Sequence, residues 1–500
     1  MSNVARNWIL LPVLFSLFGC TVGPDYIRPD VDIPDDWRYS IEDASGTVNS
    51  LWWEQFDDPV LDALINEALV NNKDVRIAAA RVEEFAARVD ITRSGFYPQV
   101  GYDGAAGRNR SPLETAGGNS RINDSYLAAL NVGWELDVWG RIRRATEASR
   151  AQLLAEEEVR RSVILTLVSS VASSYINLRN LDRQLEIARR TLQARGETVE
   201  LFRIKFEGGV VSELEVAQVR SEYEQAAVSI PSLERQIALQ ENAISILLGH
   251  NPGDIPRGKT IDQLALPQVP EGMPSQLLTR RPDIQRAEQD LIAANAQIGV
   301  ARSQYFPDIS LSGLFGYAST ELSNLLQDSS EIWGIGADAL GPIFTGGRIS
   351  SQLRATEAVQ RQALVGYAQT VQAAFQEVDD ALISSVKRRE ELAAQGRRVA
   401  ALQEYARYAQ LNYDEGQVSY IEVLDSERRL FDAELLQTQS MSDVHTSYVA
   451  LYKAMGGGWI KEAESVANET DYAPDEGQQE SFNWFMKRTR PAAAEDASGT

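Results

Sequence analysis

The chain has 500 residues, 44% of them hydrophobic and 24% charged, enough for several ordinary domains or one elongated one. Its formal net charge of −23 excludes nucleic acid or an anionic membrane surface as the main partner. A single cysteine and two histidines, His250 and His445, leave no material for a disulfide, a thiolate metal site or a histidine-rich one. No complete dinucleotide fingerprint, P-loop, zinc-protease or nucleophile-elbow motif occurs. The nearest glycine cluster, GIGADALG at 334–341, has the wrong spacing and sits in an alternating apolar segment. The chain is therefore expected to be no enzyme and to hold no cofactor or metal.

Residues 1–19 read as a signal peptide. Arg6 precedes an apolar run from Trp8 to Phe18 that is too short to span a bilayer, and Gly19 closes it. A small residue before the sole cysteine, with Leu17 three positions ahead of it, resembles a bacterial lipoprotein cleavage site. Cys20 is accordingly the expected lipid attachment point; the alternative is a plain signal peptide with an incidental cysteine. Thr21 and Val22 follow, with no aspartate to signal inner-membrane retention, so the outer membrane is the expected destination. Residues 20–55 carry Pro24, Pro29 and Pro34 among aspartates and suit an extended strap rather than a core.

From here the chain is written twice, over 56–265 and 273–458. FEGGVVSELEV (206–216) returns as DEGQVSYIEV (414–423), with Gly209 and Gly416 separated by 207 positions. GFYPQVGYDG (95–104) returns as QYFPDISLSG (304–313), VWGRI (138–142) as TGGRI (345–349), and LLGHNPG (247–253) as AMGGGW (454–459). Spacing kept over four landmarks implies duplication of a whole structural unit.

Each unit changes its hydrophobic period in a fixed order. Residues 59–94 are helical by composition and end at Gly95. Two strands follow, about 97–108 and 126–138, with counterparts at about 306–318 and 332–344. In SYLAALNVGWELDVW, Tyr126, Ala128, Leu130, Val132, Trp134, Leu136 and Val138 share one face, and Asn131, Gly133, Glu135 and Asp137 lie on the other. Ile309, Leu311, Phe315 and Tyr317, then Trp333, Ile335, Ala337 and Ala339, repeat the apolar face. Residues 141–206 turn helical again, with a three–four seam of Ile164, Leu167, Val171, Ser174, Leu178, Leu181, Leu185, Ala188, Leu192, Val199, Phe202 and Phe206. Residues 348–414 should do the same. A helix of roughly 37 residues closes each unit, the first bearing Pro231 as an expected kink or break. After Trp459 the chain is polar, and 459–500 is expected to be disordered.

Strands of this length, apolar on one face and polar on the other, suit either a transmembrane barrel or a half-buried sheet of a soluble sandwich. The sandwich has to explain why only four such strands occur, in pairs separated by helices of ~100 Å at ~1.5 Å per residue. Four strands cannot close a barrel, for which about eight is the smallest number. Several copies must therefore share one, with polar residues such as Asn131, Glu135 and Asp308 facing a water-filled lumen and 110–124 and 319–331 as external loops.

Several motifs together resemble the outer-membrane efflux lipoproteins of the TolC superfamily, NodT/OprM type. They are Cys20 with Pro24, Asp25, Tyr26, Arg28 and Pro29; WELDVWGRIR (134–143); RRPDIQRAEQDL (280–291); PIFTGGR (342–348); and LYKAMGGGW (451–459). The resemblance covers about residues 20–460. It implies an α+β membrane protein: four strands per chain completing a twelve-stranded barrel in a homotrimer, continued by a helical coiled-coil periplasmic tunnel. It further implies a passive channel lipid-anchored in the outer membrane, working with a periplasmic adaptor and an inner-membrane RND-type transporter.

The repeated phrase has two layers. Ser212 with Glu215, and Ser419 with Glu422, read as capping boxes at helix starts, with Gly209 and Gly416 ending the preceding helices. In the second copy Ile421, Leu424, Phe431 and Leu435 keep coiled-coil spacing, but Arg428 interrupts them and Asp425 sits three residues before it. By itself that pair is an ordinary intrahelical ion pair. The resemblance assigns this turn to the periplasmic tip, where Tyr413, Ile421, Glu422, Asp425 and Arg428 would constrict the closed entrance, with Glu215 as their possible partner. The arginine that TolC carries two residues after the glycine is Val418 here. Two other readings stay open: the duct of a type I secretion system, and a non-conducting periplasmic spacer.

Overall fold

A computed structural model describes residues 21–34, 36–38, 51–110, 122–268, 274–457, 460 and 463–464. The signal peptide, Cys20, most of the first external loop and the tail after 464 lie outside the described residues. The described residues fall into two compact units. One takes in those within Met1–Asp36, Ile77–Ser162 and Met273–Gln376, the other those within Trp37–Arg76, Val163–Gly272 and Glu377–Thr500.

In chain order the elements are α1 (Pro59–Asn71), α2 (Lys73–Ser94), β1 (Gln99–Arg110), β2 (Ile122–Leu136), α3 (Arg141–Glu207) and α4 (Glu213–Leu247). The second half supplies α5 (Pro274–Arg280), α6 (Pro282–Ser303), β3 (Asp308–Ser319), β4 (Glu331–Leu340), α7 (Arg348–Asp414) and α8 (Tyr420–Ala454). Both α3 and α7 have 67 residues and both α4 and α8 have 35, so the duplication holds to the residue across these helices.

The first unit is built on one antiparallel sheet in the order β1-β2-β3-β4. The strand stretches toward the external loops differ slightly from expectation: β1 and β2 reach Arg110 and Ile122, because the hairpin ladder continues through the polar pairs Arg108 with Asp124 and Asn109 with Asn123. A salt bridge between Arg108 and Asp124, 3.0 Å long, lies on that extension.

The second unit has its main core where Trp52, Trp53 and Phe56 pack with Leu61, Ile65, Val168, Val171, Tyr175 and Tyr452. Trp52 stacks on Tyr452 with centroids 5.4 Å apart. Residues Trp52–Phe56 thus form a buried 3-10 helix, and the extended strap does not run as far as residue 55. Three aromatic rings in five residues bury too much apolar area to stay on a surface.

The single helix expected over 59–94 is broken at Asn72. Its backbone is extended (φ −61°, ψ 133°), and its Oδ1 accepts from Asp74 N at 2.9 Å and Val75 N at 3.2 Å. Its Nδ2 donates to Leu247 O at 2.9 Å, so the amide ends one helix, starts the next and ties both to α4. No break occurs at Pro231, which α4 carries as part of one continuous helix. The missing N–H removes one of the many hydrogen bonds in a 35-residue helix, and the flanking packing of Ala226 and Leu233 holds the rest.

The coiled-coil seam of α3 is buried at Ile164, Leu167, Val171, Leu178, Leu181, Leu185, Ala188 and Phe202, whereas Phe206 is exposed. Val168, Tyr175 and Ile176 are buried as well, so α3 presents more than one face to its neighbours in that stretch.

Candidate functional site: the sheet, the strap and the tip

The sheet register places the apolar residues in rows across all four strands. Tyr102 lies opposite Leu130, Leu130 opposite Phe315 and Phe315 opposite Trp333. In the next row Val100 faces Val132, Val132 faces Gly313 and Gly313 faces Ile335. These side chains are not core: Tyr102, Leu130, Phe315 and Trp333 are 85%, 53%, 51% and 72% exposed. The opposite face carries Gln99, Asn131, Glu135, Ser310, Ser312 and Asp338, with Asn131 Nδ2 donating to Asp103 Oδ2 at 2.7 Å. An open row of large apolar groups on one face and polar groups on the other is the pattern of a strand set between lipid and water.

Aromatic residues gather where the strands meet the helices. Trp139 stacks on Phe306 at 4.6 Å and donates from Nε1 to Pro307 O at 2.8 Å. Trp134 Nε1 donates to Phe96 O at 2.9 Å, so each indole has an apolar body and a satisfied polar tip. Asp137 turns β2 into α3: its carboxylate accepts from Ile142 N at 2.9 Å and Arg143 N at 3.0 Å.

The strap that begins at Thr21 is fixed to this same unit. Val22 N donates to Trp139 O at 3.1 Å, and Asn295 Nδ2 to Pro24 O at 3.0 Å. Arg144, itself buried, reaches Asp25 at 2.6 Å, and the buried Glu288 accepts from Tyr26 at 3.1 Å and also pairs with Arg28. Burial and the Glu288 carboxylate push the Tyr26 hydroxyl above its ordinary value. Gly23 (φ +115°) touches Gly299, where a Cβ on either residue would collide with backbone. The PDYxRP run is thereby a set of anchors; the composition shows an extended segment but not its partners.

The other candidate site is the pair of turns in the second unit. Gly209 (φ +71°) and Gly416 (φ +74°) both take the left-handed conformation that ends a helix. At the first turn Ser212 Oγ accepts from Glu215 N at 3.3 Å while Glu215 Oε2 accepts from Ser212 N at 2.7 Å, a complete capping box. Glu215 is thereby turned onto Ser212.

At the second turn the box does not form. Ser419 is the N-cap of α8 by backbone only, and its side chain makes no capping bond. Glu422 instead accepts from Tyr405 Oη at 2.9 Å, and its amide donates to the Ser419 carbonyl at 3.1 Å. The cause lies one helix back. The position 207 before Tyr405 is Thr198, too short to compete for Glu215, whereas the phenol reaches across and draws Glu422 off the serine.

Asp425 accepts from Arg428 at 2.8 Å and is also paired with Arg429 at 2.7 Å. Arg428 and then Arg429 hold the Asp425 carboxyl below its usual range. Tyr413 stacks edge-on against Tyr420 at 4.9 Å, Tyr420 packs on Phe202 at 4.3 Å, and the Lys205 ammonium lies over the Phe202 and Tyr413 rings. Tyr420, Val423 and Leu424 form the buried seam, while Ile421 is 52% exposed and stands outside it. Sequence reading gave Ile421 the coiled-coil spacing of a seam that it lies outside, and singled out none of Tyr405, Tyr420, Lys205 and Arg429. The i,i+4 spacing of Asp425 and Arg429 is the one signal that could have found any of them.

An apolar belt on a sheet open at both edges, girdled by aromatics and joined to 67-residue helices, defines a subunit of an outer-membrane channel. The comparisons agree. The family model described as outer membrane efflux protein matches residues 64–250 and 273–457, and the chain belongs to that family. It is 37% identical over 462 residues to the cation efflux system protein CusC of Escherichia coli O6:H1, covering 90% of this chain and 98% of that one. It is 36% identical to the solvent efflux pump outer membrane protein SrpC of Pseudomonas putida, covering 89% and 97%. Among solved structures, the Campylobacter jejuni CmeC outer membrane channel superposes with a TM-score of 0.85 at 25% identity, covering 91% of this chain and all of that one. The protein is an outer-membrane efflux channel with the TolC-like fold.

Proposed function

We propose that the chain is the passive outer-membrane duct of a tripartite efflux pump. Three copies close a twelve-stranded barrel around an aqueous lumen, and α3, α4, α7 and α8 line a periplasmic tunnel below it. A periplasmic adaptor and an inner-membrane RND-type transporter supply the cargo, small toxic compounds, and the energy; the duct itself does no chemistry. The observation that carries this reading is the exposed row Tyr102–Leu130–Phe315–Trp333 on a sheet whose other face is polar. Cys20 attaches the lipid, and residues 22–28, which follow it in the chain, are anchored near the β2–α3 junction. Labelling with radioactive palmitate should mark the wild-type chain and leave Cys20→Ser unmarked; equal labelling would remove that assignment.

The tip around Asp425 acts as the periplasmic gate. Tyr413 is held there by Tyr420, Glu422 by Tyr405 and Asp425 by Arg428, while Ile421, exposed on α8, and Glu215 would contribute across copies. Reconstituted in planar bilayers, the wild-type protein should show small cation-preferring steps, since a ring of carboxylates favours cations. Asp425→Ala frees both arginines and should raise single-channel conductance at least about twofold, following from the loss of a hydrogen-bonded charge pair. An unchanged conductance would place the gate elsewhere, and no current from the wild type would remove the duct.

A further inference from the structure

The two copies of the repeated turn start their second helix with the same backbone and with different side-chain bonds. Ser212 has φ −86° and ψ 159°, and Ser419 has φ −78° and ψ 157°, each at the start of a helix of 35 residues. In the first copy Ser212 N and Oγ both donate to Glu215 Oε2, at 2.7 and 2.9 Å, and Ser212 Oγ accepts from Glu215 N at 3.3 Å. In the second copy the equivalent carboxylate, Glu422, leaves the serine and accepts from Tyr405 Oη of α7 at 2.9 Å. Because the backbone at Ser419 already has the form that the capping box needs, rotation of side chains alone can bring Glu422 back to it.

We infer that Glu422 has two seats, the Tyr405 hydroxyl on α7 and the Ser419 cap on α8, and that Tyr405 is the positioning residue that decides between them. On Tyr405 the carboxylate ties α7 to α8 across the turn. On Ser419 it serves α8 alone, and the tie is gone. The first seat belongs to the closed tip and the second to the released one. The inference rests on the reading of this tip as the gate, and it adds the step by which α8 parts from α7.

Three observations support the exchange. One chain shows both geometries on the same S-x-x-E motif, the cap at Glu215 and the phenol at Glu422, so neither is foreign to it. The two seats are also closely matched. The phenol offers one charge-assisted bond and the cap offers an amide and a hydroxyl, all on exposed surface where water competes for each of them. Finally, Tyr405 feels the neighbouring ion pair. Its hydrogen bond to Glu422, then burial and the Glu422 and Asp425 charges, hold the phenol above its ordinary value, while Arg429 pulls it down. Asp425 lies three residues after Glu422 on α8 and is paired with Arg428 at 2.8 Å and Arg429 at 2.7 Å. Those arginines offset the repulsion between the two carboxylates on the Tyr405 side. Loss of an arginine from Asp425 therefore pushes Glu422 toward Ser419, which couples the exchange to the ion pair.

Single-channel recording of the full-length protein in planar bilayers tests it. Tyr405→Phe removes the first seat and should raise the frequency of openings about threefold or more, the population change that one lost hydrogen bond brings. Should that variant not assemble, Tyr405→Thr carries the test, since threonine is what the first copy holds at the equivalent position, Thr198. Ser419→Ala removes the second seat and should lower the frequency by a similar factor, with Ser419→Thr, which keeps a capping hydroxyl, closer to wild type than Ser419→Ala. A merely structural role would make Tyr405→Phe and Ser419→Ala loosen the turn alike. Hydrogen exchange over 417–424 should also slow in Tyr405→Phe, where the Ser419 amide enters the box, and should not slow in Ser419→Ala. Shifts of the same sign in the two variants, or no shift in either while Asp425→Ala still raises conductance, would overturn the exchange. Opposite shifts beside an inert Asp425→Ala would instead keep the exchange and remove Asp425 from the gate.

Discussion

At the residue scale the second unit turns on Asp58. Its carboxylate is fully buried and accepts from Val60 N at 3.0 Å, Tyr175 Oη at 2.8 Å and Lys259 N at 3.0 Å. It thereby caps α1 and joins three distant segments, and Gly258 is required beside it because a Cβ there would lie 2.0 Å from Asp58 Oδ1. Asp58→Ala leaves a buried hydroxyl and two amides with less than they need, a loss of about 2–4 kcal/mol. Denaturant unfolding of the solubilised protein should show it as a lower midpoint at unchanged slope, and an unshifted midpoint would mean the carboxylate is not a structural tie. Half of this was legible: an aspartate followed by proline is a helix-start signal. Tyr175 and Gly258 were not, because nothing local in the sequence joins positions 58, 175 and 258. The same limit hid Tyr405, whose effect on Glu422 depends on one helix lying against another.

At the element scale the periods carry most of the fold. Alternation over 126–138 and 306–318 marks strands because one face meets an apolar medium and the other does not, so the pattern survives whatever the partners are. Uninterrupted stretches of helix formers over 141–206 and 348–414 mark the long helices for the same local reason. Errors fall where a tertiary contact decides. Asn72 breaks a helix that lacks internal glycine and proline because its amide is drawn to the Leu247 carbonyl. Pro231, a strong breaker by propensity, is carried within a helix supported on its flanks. Ile421 keeps heptad spacing yet lies outside the seam, because Tyr420 occupies the buried place against Phe202.

At the scale of the whole molecule, the buried His445 and the half-buried Asp62 in the second unit should set opposite responses to acid. His445 is buried, its ring 5.8 Å from Phe56 and its Nδ1 without a hydrogen-bond partner, and burial pushes its pKa down to about 4. The unfolded chain, with an ordinary value near 6.5, takes up a proton as the pH falls from 6.5 to 4 while the folded chain does not. His445 therefore withdraws stability on acidification. Asp62 goes the other way: burial first, then Glu54, Asp58 and Asp57, push its carboxyl up to about 6. Here the folded state binds the proton first, so Asp62 adds stability as the pH falls through 6 and removes it as the pH rises. The His445 arm amounts to ~3 kcal/mol at 1.36 kcal/mol per pH unit, and solvent screening makes the opposing arm of the half-exposed Asp62 the smaller of the two. His445→Phe should leave the Asp62 arm alone and make the protein more stable at pH 4.5 than at pH 7, relative to wild type, by the amount of the His445 arm. Asp62→Asn should leave the histidine arm and do the reverse. Denaturant midpoints of the three proteins at the two pH values decide the matter: parallel shifts in all three would show that neither side chain titrates with folding.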